Sequence, residues 1–352
     1  MPMHPKLQDA ALSPVLEAIF SDAKKEALDK LEKAGFIDGI TRPVWETELH
    51  NSSYQQGDSD LIAMTKMILD SKAAADGKLS SKAPISILSN LTPMMLLAKQ
   101  LGYDYGPQLI KQRTAMDYGS GIYYPFSTSV VLFANGFEKA ISFEPFELKV
   151  DYVVASLFEL IRSIFEQPAK FCLPGVDKQD LKKNLARLSL EYLPDKLMAL
   201  NRCEIPFVDL GGVILTNKSD SIVNSSVDMI FSNSVLEHVA DLAAELQWHK
   251  RILTERGLCL HTVDFVDHRY YFDKSLNILE MCYDGILDEI NGLRPSQMEA
   301  EFLSAGFGCY KLQKLAIPEA LISRDRQLAA PFSKLSPGDL LEWVNGYILH
   351  KR

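Results

Sequence analysis

Short apolar runs alternate with stretches of helical spacing from residue 107 onward, and this alternation constrains the fold of the 352-residue chain more than any other feature. Apolar runs of a few residues, bounded by turn residues, are typical of buried strands. A helix between successive strands is the pattern of a parallel α/β sheet. The predicted strands are 114–118, 140–144, 208–215, 227–232, 258–264 and 307–315. We therefore expect an α/β fold with a mostly parallel sheet.

Helical segments precede and interrupt this alternation. Residues 1–106 carry apolar side chains at helical spacing without a pattern that indicates chemistry. We predict an N-terminal helical domain or cap over 1–106 and a sheet domain over 107–352. A helical insertion is predicted at about 150–204. Near the C-terminus, a capping box beginning at Ser296 opens a helix that Gly306 closes.

The charge balance limits the classes of partner. The chain carries 37 Lys and Arg against 46 Asp and Glu, a formal net charge of −9, and it has no long basic run. Such a composition argues against nucleic acid or an anionic membrane as the partner. The first residues lack the basic and apolar segments of a secretory signal. Charged residues also interrupt every stretch of about 18 residues, the length that a membrane-spanning helix needs. We therefore expect a cytoplasmic protein.

The cysteines predict no special chemistry. Five cysteines are spread along the chain, and no two of them form a CxxC pair. Reduced structural thiols are the expectation for this pattern in a cytoplasmic protein. A zinc site or a catalytic thiol is the alternative, and no metal is predicted.

The sequence MDYGSG at 116–121 follows the start of the first predicted strand and precedes a helix-like segment. Glycines at a strand-to-helix turn let a ligand approach the backbone, and the helix N-terminus offers unpaired N–H groups. Glu144 ends the next predicted strand, 144 − 119 = 25 residues after Gly119. A carboxylate about 20 residues after such a turn holds ribose hydroxyls in nucleotide-binding units. A plain tight turn is the alternative interpretation.

Two further segments complete an ordered set of motifs. Residues 226–239 read SVDMIFSNSVLEHV, and residues 251–258 read RILTERGL. Together with MDYGSG and the strand-end acid, they resemble the class I S-adenosylmethionine-dependent methyltransferases over about 113–315. The resemblance implies a Rossmann-like sheet of seven strands with the last one antiparallel. It also implies an enzyme that transfers a methyl group from S-adenosylmethionine and releases S-adenosylhomocysteine.

The resemblance also implies which residues contact the cofactor. The residues of the glycine motif surround the methionine moiety and the adenosine, and the acid after the second strand holds the two ribose hydroxyls. A pair after the third strand contacts the adenine edge, and a pair after the fourth strand lies beside the sulfonium. The implied contacts are Asp117, Gly119, Ser120, Gly121, Glu144, Ser219, Asp220, Asn233 and Ser234.

The segment HTVDFVDH at 261–268 carries a finer resemblance. An Asp-His pair after the fifth strand, with a later Arg294 before a helix, is similar to a bacterial subgroup often linked to surface glycan or secondary-metabolite genes. This resemblance implies a hydroxyl acceptor on a small molecule or on a sugar or glycan precursor. N-methylation of an amine or amino-acid derivative is the alternative.

A hydroxyl acceptor loses a proton on transfer, and a neutral imidazole with a pKa of about 6.5 suits that task. We predict His268 as the first candidate for the base and His238 as the second, with Asp267 as an orienting carboxylate. In the alternative interpretation, His238 caps a helix beside the cofactor. For Asp267 and His268, the alternative is a salt bridge within a loop.

Three residues are predicted to contact the acceptor: Tyr123, Tyr271 and Arg294. The alternatives are packing for the two aromatic rings and a surface ion pair for the arginine. A divalent ion is a further alternative, and it is disfavoured because adjacent positions at a strand end point to different sides. Its ligands would be His261, Asp264, Asp267 and His268.

Other function classes stay open from the sequence. A nicotinamide-dependent oxidoreductase shares the glycine turn and the strand-end acid, but Tyr124 occupies its third glycine position here. A scaffold that keeps the fold without turnover is another alternative. The N-terminal region and the insertion are large enough to close over the cofactor or to form a homodimer interface.

Overall fold

The computed structural model describes residues 82–103, 105–273, 275–323 and 325–352. The helical domain predicted over 1–106 therefore lies largely outside the described residues, and its described part contains helix α1 (Lys82–Gln100). The described chain forms two compact units. The first consists of residues 82–88 and 105–221, and the second of residues 89–103 and 222–352.

The first unit contains four strands within its described residues. Their bounds are β1 Thr114–Tyr118, β2 Lys139–Phe143, β3 Val208–Asp209 and β4 Val213–Thr216. They lie in the order β3-β4-β2-β1, and the pairs β1–β2 and β2–β4 are parallel. Phe143 at the end of β2 lies opposite both Tyr118 and Thr216. The carboxyl ends of three strands therefore meet at one edge.

The prediction of a single strand over 208–215 is wrong, because this segment forms the antiparallel hairpin of β3 and β4. The Asp209 carboxylate accepts the N–H of Gly211 at 2.8 Å and the N–H of Gly212 at 3.1 Å. Both glycines have positive φ angles, 83° and 125°. Such a turn favours glycine, and it adds a short strand to the seven that were predicted.

Five helices lie wholly within the described residues of the first unit. They are α2 Pro107–Ile110, α3 Ser127–Ala134, α4 Val150–Glu166, α5 Lys178–Leu185 and α6 Leu193–Asn201. Helix α3 is buried throughout and packs on β1 and β2. Helices α4, α5 and α6 lie within the predicted insertion. Apolar positions recur at helical spacing along α4, and Val153, Leu157 and Ile164 are all buried.

The second unit also contains four strands within its described residues. Their bounds are β5 Val227–Asn233, β6 Leu253–Asp264, β7 Phe307–Ala316 and β8 Glu342–Lys351. They lie in the order β5-β6-β8-β7. Strands β5 and β6 are parallel, and β8 is antiparallel to both β6 and β7. The expected antiparallel last strand is present, and the predicted α/β fold with a mostly parallel sheet is confirmed.

The later helices of the second unit are α7 Leu242–Ile252, α8 Arg269–Phe272, α9 Glu280–Asp284, α10 Pro295–Ser304 and α11 Pro337–Leu341. In the described ranges, the helices lack the combination of length and hydropathy that crossing a bilayer requires. The capping box predicted at Ser296 is displaced. Arg294 is the N-cap, and its N–H is donated to Gln297 Oε1 at 3.0 Å. Proline is favoured at the first helical position, so Pro295 sets this start.

Candidate functional site

The glycine turn predicted after the first strand is present in the first unit. Gly119 and Gly121 have φ angles of 68° and 90°, in the left-handed region that favours glycine. The N–H groups of Gly119 and Ser120 are donated to the carbonyl of Phe143, at 2.9 and 3.2 Å. The turn after β1 is therefore held at the end of β2. Ser120 Oγ is buried and has no hydrogen-bond partner within the described part of the chain.

Glu144, the acid predicted to hold a ribose, lies directly against this turn. Its Oε2 accepts the N–H of Gly121 at 2.6 Å, and its Oε1 accepts the N–H of Phe146 at 3.2 Å. A carboxylate offers about four lone-pair positions, so each oxygen keeps capacity for a ligand hydroxyl. The structure thus brings together the two sequence features that predicted a nucleotide-like ligand.

Asp117, on β1, is a second buried carboxyl group near this turn. Its pKa is raised to about 8, mainly by burial; a hydrogen bond with Thr128 opposes the increase, and the charge of Glu144 adds to it. Burial also raises the pKa of Glu144, while the amides of Gly121 and Phe146 oppose that shift. At neutral pH, Asp117 is therefore largely protonated, and its carboxyl group can donate a hydrogen bond as well as accept one.

The raised pKa of Asp117 predicts how stability depends on pH. The folded-state pKa of about 8 lies above the ordinary value of 3.8, so the contribution of this group is lost as the pH rises through about 8. We expect Asp117→Asn to flatten the fall in the free energy of unfolding between about pH 4 and 8. Urea unfolding at several pH values measures this. Asp220→Asn, at an exposed position, is the control and should show the pH dependence of the wild type. If the free energy of unfolding of Asp117→Asn falls with pH as steeply as that of the wild type, the raised pKa of Asp117 is wrong.

The other predicted contacts in the first unit lie on neighbouring elements. Ser219 and Asp220 are exposed in the turn after β4, the strand that lies beside β2. The N–H of Glu144 is donated to the carbonyl of Thr216, the last residue of β4, at 3.1 Å. Tyr123 packs its ring edge against Tyr152, with centroids 5.2 Å apart. That ring therefore contacts α4, the first helix of the insertion.

Asn233 and Ser234, the predicted sulfonium neighbours, lie where β5 ends in the second unit. Asn233 Oδ1 accepts the side-chain amide of Asn90, on α1, at 2.7 Å. Ser234 has a positive φ of 55°, and its N–H is donated to the carbonyl of Thr262 at 2.8 Å. This left-handed residue redirects the chain sharply at the strand end.

Sequence reasoning missed two residues beside Asn233. Lys314 Nζ donates to Thr262 Oγ1 at 3.0 Å and to the carbonyl of Asn90 at 3.1 Å. Burial lowers the pKa of this lysine to about 8. Asn90 joins Lys314 to Asn233, so these side chains form one polar group at the ends of β5 and β6. No local motif marks Asn90 or Lys314, because their contacts join distant parts of the sequence.

The two predicted bases come together in the second unit. The rings of His238 and His268 have centroids 4.8 Å apart. His238 is exposed, and its Nδ1 lies 2.7 Å from the carbonyl of Glu289. A carbonyl only accepts, so Nδ1 donates its proton, and in the neutral ring Nε2 carries the lone pair. His268 is half-buried, and its Nε2 has no hydrogen-bond partner among the described residues.

Carboxyl groups border this histidine pair. Burial lowers the pKa of His268, and the charge of Asp264 is the largest effect opposing that shift. Asp264 Oδ2 accepts the hydroxyl of Tyr271 at 2.5 Å, so the predicted acceptor contact Tyr271 belongs to this cluster. Glu237 is buried, and its Oε1 accepts the N–H of Asp264 at 3.2 Å. Burial raises the pKa of Glu237 well above its ordinary value.

The predicted role of Asp267 requires correction. Asp267 is buried and pairs with the guanidinium of Arg269, at 2.5 Å from Nη2 and 3.0 Å from Nε. Arg269 also pairs with Asp284 at 2.9 Å. The carboxylate of Asp267 is therefore engaged by arginine, and Asp264 is the acid with the stronger electrostatic effect on His268.

The alternative metal set predicted from the sequence is also not formed. His261 lies with His249 and Cys259, whereas His268 lies with Glu237 and His238. The side chains of Asp264 and Asp267 are engaged by Tyr271 and Arg269.

Arg294, predicted to meet an anionic acceptor, is fully buried. Its guanidinium donates to the carbonyls of Phe265, Asp339 and Glu342, the last two at 2.6 and 3.0 Å. It therefore joins the segment after β6 to the start of β8. This position is neither an acceptor contact nor the surface ion pair of the alternative interpretation.

We predict that the protein becomes much less stable when the hydrogen bonds of the Arg294 guanidinium are lost. We expect Arg294→Met to lower the free energy of unfolding by about 2–4 kcal/mol, because buried carbonyls lose their donors. Arg326→Met is the matched control: Arg326 pairs with Glu280 at the surface, where such pairs contribute about 0–1 kcal/mol. Urea unfolding measures both variants. Unchanged stability with a raised KM for the acceptor would restore the substrate role of Arg294.

Neither a family model nor a curated protein sequence matches the chain. Solved structures are similar to it at low identity. The YcgJ protein of Bacillus subtilis is 14% identical, with 70% of this chain and 96% of that chain covered and a TM-score of 0.35. Phosphoethanolamine N-methyltransferase 2 of Haemonchus contortus, in complex with S-adenosyl-L-methionine, is 13% identical, with 74% and 52% covered and a TM-score of 0.38. A putative methyltransferase of Bacillus halodurans is 12% identical, with 72% and 96% covered and a TM-score of 0.33.

Proposed function

We propose that this chain is an S-adenosylmethionine-dependent methyltransferase that acts on a hydroxyl of a small molecule or of a sugar or glycan precursor in the cytoplasm. The observation that carries the proposal is the contact of 2.6 Å between Glu144 and the Gly121 amide. In this contact a strand-end carboxylate lies at a glycine turn, which is an arrangement that holds the ribose in nucleotide-binding α/β units.

The first unit offers groups for each part of the nucleoside. Glu144 would accept both ribose hydroxyls with the lone pairs that its two amide contacts leave. The buried Ser120 Oγ would bond the ligand near the glycine turn. Ser219 and Asp220, exposed in the turn after β4, would contact the adenine edge. Asp117, on β1, would bond a remaining polar group of the ligand.

When bound, the cofactor supplies an electrophilic methyl group on a sulfonium, so the protein mainly positions the acceptor and removes its proton. His268 would take the hydroxyl proton at Nε2, which has no partner among the described residues. Asp264 lies close enough to affect its pKa and would stabilise the imidazolium that forms. His238, whose Nδ1 contacts the carbonyl of Glu289, is the second candidate for the same step through Nε2.

An amine acceptor is the second candidate function, and the carboxyl group of Asp264, whose charge acts on His268, favours it. An ionised carboxylate at this position can bind an ammonium ion and hold it near His268. An amine needs only to lose its proton before transfer, so this reaction depends less on a strong base than O-methylation does.

Calorimetric titration with S-adenosylmethionine and S-adenosylhomocysteine tests the proposal, with NAD as the control. We expect binding of both sulfur compounds at about micromolar Kd and no binding of NAD. Hydroxyl and amine acceptors would then be screened for methyl uptake. Folded protein that binds neither sulfur compound would overturn the proposal, and binding without turnover on any acceptor would indicate a scaffold.

A further inference from the structure

Three potential metal ligands meet in the core of the second unit, outside the site described above. They are His249 on α7 and Cys259 and His261 on β6. One ligand atom from each lies within 4.8 Å of the other two, and all three residues are fully buried. Cys259 and His261 are two positions apart on a strand, so they face the same side of the sheet.

The bonding of His261 points to a ligand. Its Nδ1 lies 2.7 Å from Ser232 Oγ, whereas its Nε2 has no hydrogen-bond partner in the described part of the chain. A buried nitrogen without a partner is unfavourable in a protein core. If Nδ1 donates its proton to Ser232, Nε2 carries a lone pair. A hydrogen bond of this kind on the distal nitrogen is the usual support of a metal-bound histidine.

We propose that His249, Cys259 and His261 bind one zinc ion. Two imidazoles and a thiolate form a donor set that suits Zn²⁺. Glu245 Oε1 lies 3.8 Å from His249 Nε2, so this carboxylate and the Cys259 thiolate together offset the two charges of the ion. Zinc with these donors in tetrahedral positions holds ligand atoms about 3.3–3.6 Å apart. The present separations, all within 4.8 Å, would therefore contract by at most about 1.5 Å.

Zinc at this position would connect two elements of the second unit. It would tie α7 to β6, and β6 ends at Asp264 beside the proposed base His268. The ion would thus stabilise the strand that positions the histidine cluster, without contacting the acceptor. The proposal stands on the cluster alone and holds whether or not the chain transfers methyl groups.

The metal content of the protein tests this proposal. Untagged full-length protein, purified without chelators from zinc-supplemented cells, should hold about one zinc per chain by mass spectrometry. Exchange for Co²⁺ should produce the charge-transfer absorption of a cobalt thiolate. Cys259→Ser should abolish that absorption and reduce the zinc content. Cys309→Ser, at a partly exposed cysteine on β7, is the matched control and should retain both.

The opposite results would overturn the proposal. Wild-type protein with far less than one zinc per chain, and without the cobalt band after incubation with Co²⁺, would show that the three residues only pack in the core. A cobalt band that persists in Cys259→Ser or disappears in Cys309→Ser would place the ion elsewhere. Since the wild type and Cys309→Ser supply these readouts, poor folding of Cys259→Ser leaves the proposal testable.

Discussion

Replacement of His268 by alanine is expected to lower kcat by about 10²–10⁴-fold, the usual contribution of a general base, while the affinity for S-adenosylmethionine stays unchanged. The reason is that His268 lies in the histidine and carboxyl cluster of the second unit, and its Nε2 has no hydrogen-bond partner among the described residues. Steady-state kinetics with saturating cofactor measures kcat, and calorimetry measures the affinity.

Two histidine controls make this result specific. His350→Ala removes an imidazole on β8 that packs against Tyr310, and it should leave kcat near that of the wild type. His238→Ala removes the second candidate. Wild-type turnover in His268→Ala together with a large loss in His238→Ala would move the base to His238.

The pH dependence gives an independent readout. A general base acts when unprotonated, so kcat/KM should fall as the pH drops through the pKa of His268. Burial lowers this pKa below its ordinary value of 6.5, so the profile should be flat near neutral pH and fall only in mildly acidic solution. Asp264→Asn removes the charge that most opposes this shift, and it should move the acid limb to lower pH. A limb centred above pH 7 would contradict the assignment of His268.

Local patterns predicted the elements that carry the candidate cofactor site. Strand β1 and the glycine turn follow from a short apolar run and a glycine spacing, both of which act within a few residues. The start of β6 was placed five residues too late, at 258 instead of Leu253. The reason is that Glu255 and Arg256 are exposed and interrupt the apolar run that marks the strand.

Contacts between distant residues could not be predicted in the same way. Asn90 and Asn233 are 143 positions apart, and Lys314 and Asn90 are 224 positions apart. From the sequence, Arg294 is expected at the surface because arginine is rarely buried. Only the fold shows that three carbonyls accept hydrogen bonds from its guanidinium. Sequence motifs thus predict which residue types form the site, whereas the hydrogen-bond partners of those residues depend on tertiary packing.

Glu144→Gln is expected to weaken binding of S-adenosylmethionine and S-adenosylhomocysteine by about 10–100-fold, equivalent to about 1–3 kcal/mol. Glutamine has nearly the same shape, and its carbonyl can still accept the Gly121 amide. It loses the charge and half of the acceptor positions that two ribose hydroxyls require. Glu147→Gln, three residues away and exposed, is the matched control and should bind as the wild type does.

A ligand that lacks one hydroxyl separates the ribose contact from the support of the turn. Wild-type protein should bind the 2′-deoxy analogue of S-adenosylhomocysteine more weakly than the parent compound. Glu144→Gln should discriminate less between the two ligands, because the bond that the analogue lacks is already weakened in the variant. Equal discrimination in both proteins would show that Glu144 acts only by holding the Gly121 amide. If Glu144→Gln binds the cofactor with wild-type affinity, Glu144 does not contact the ribose. The proposed methyl transfer would then lose its main support.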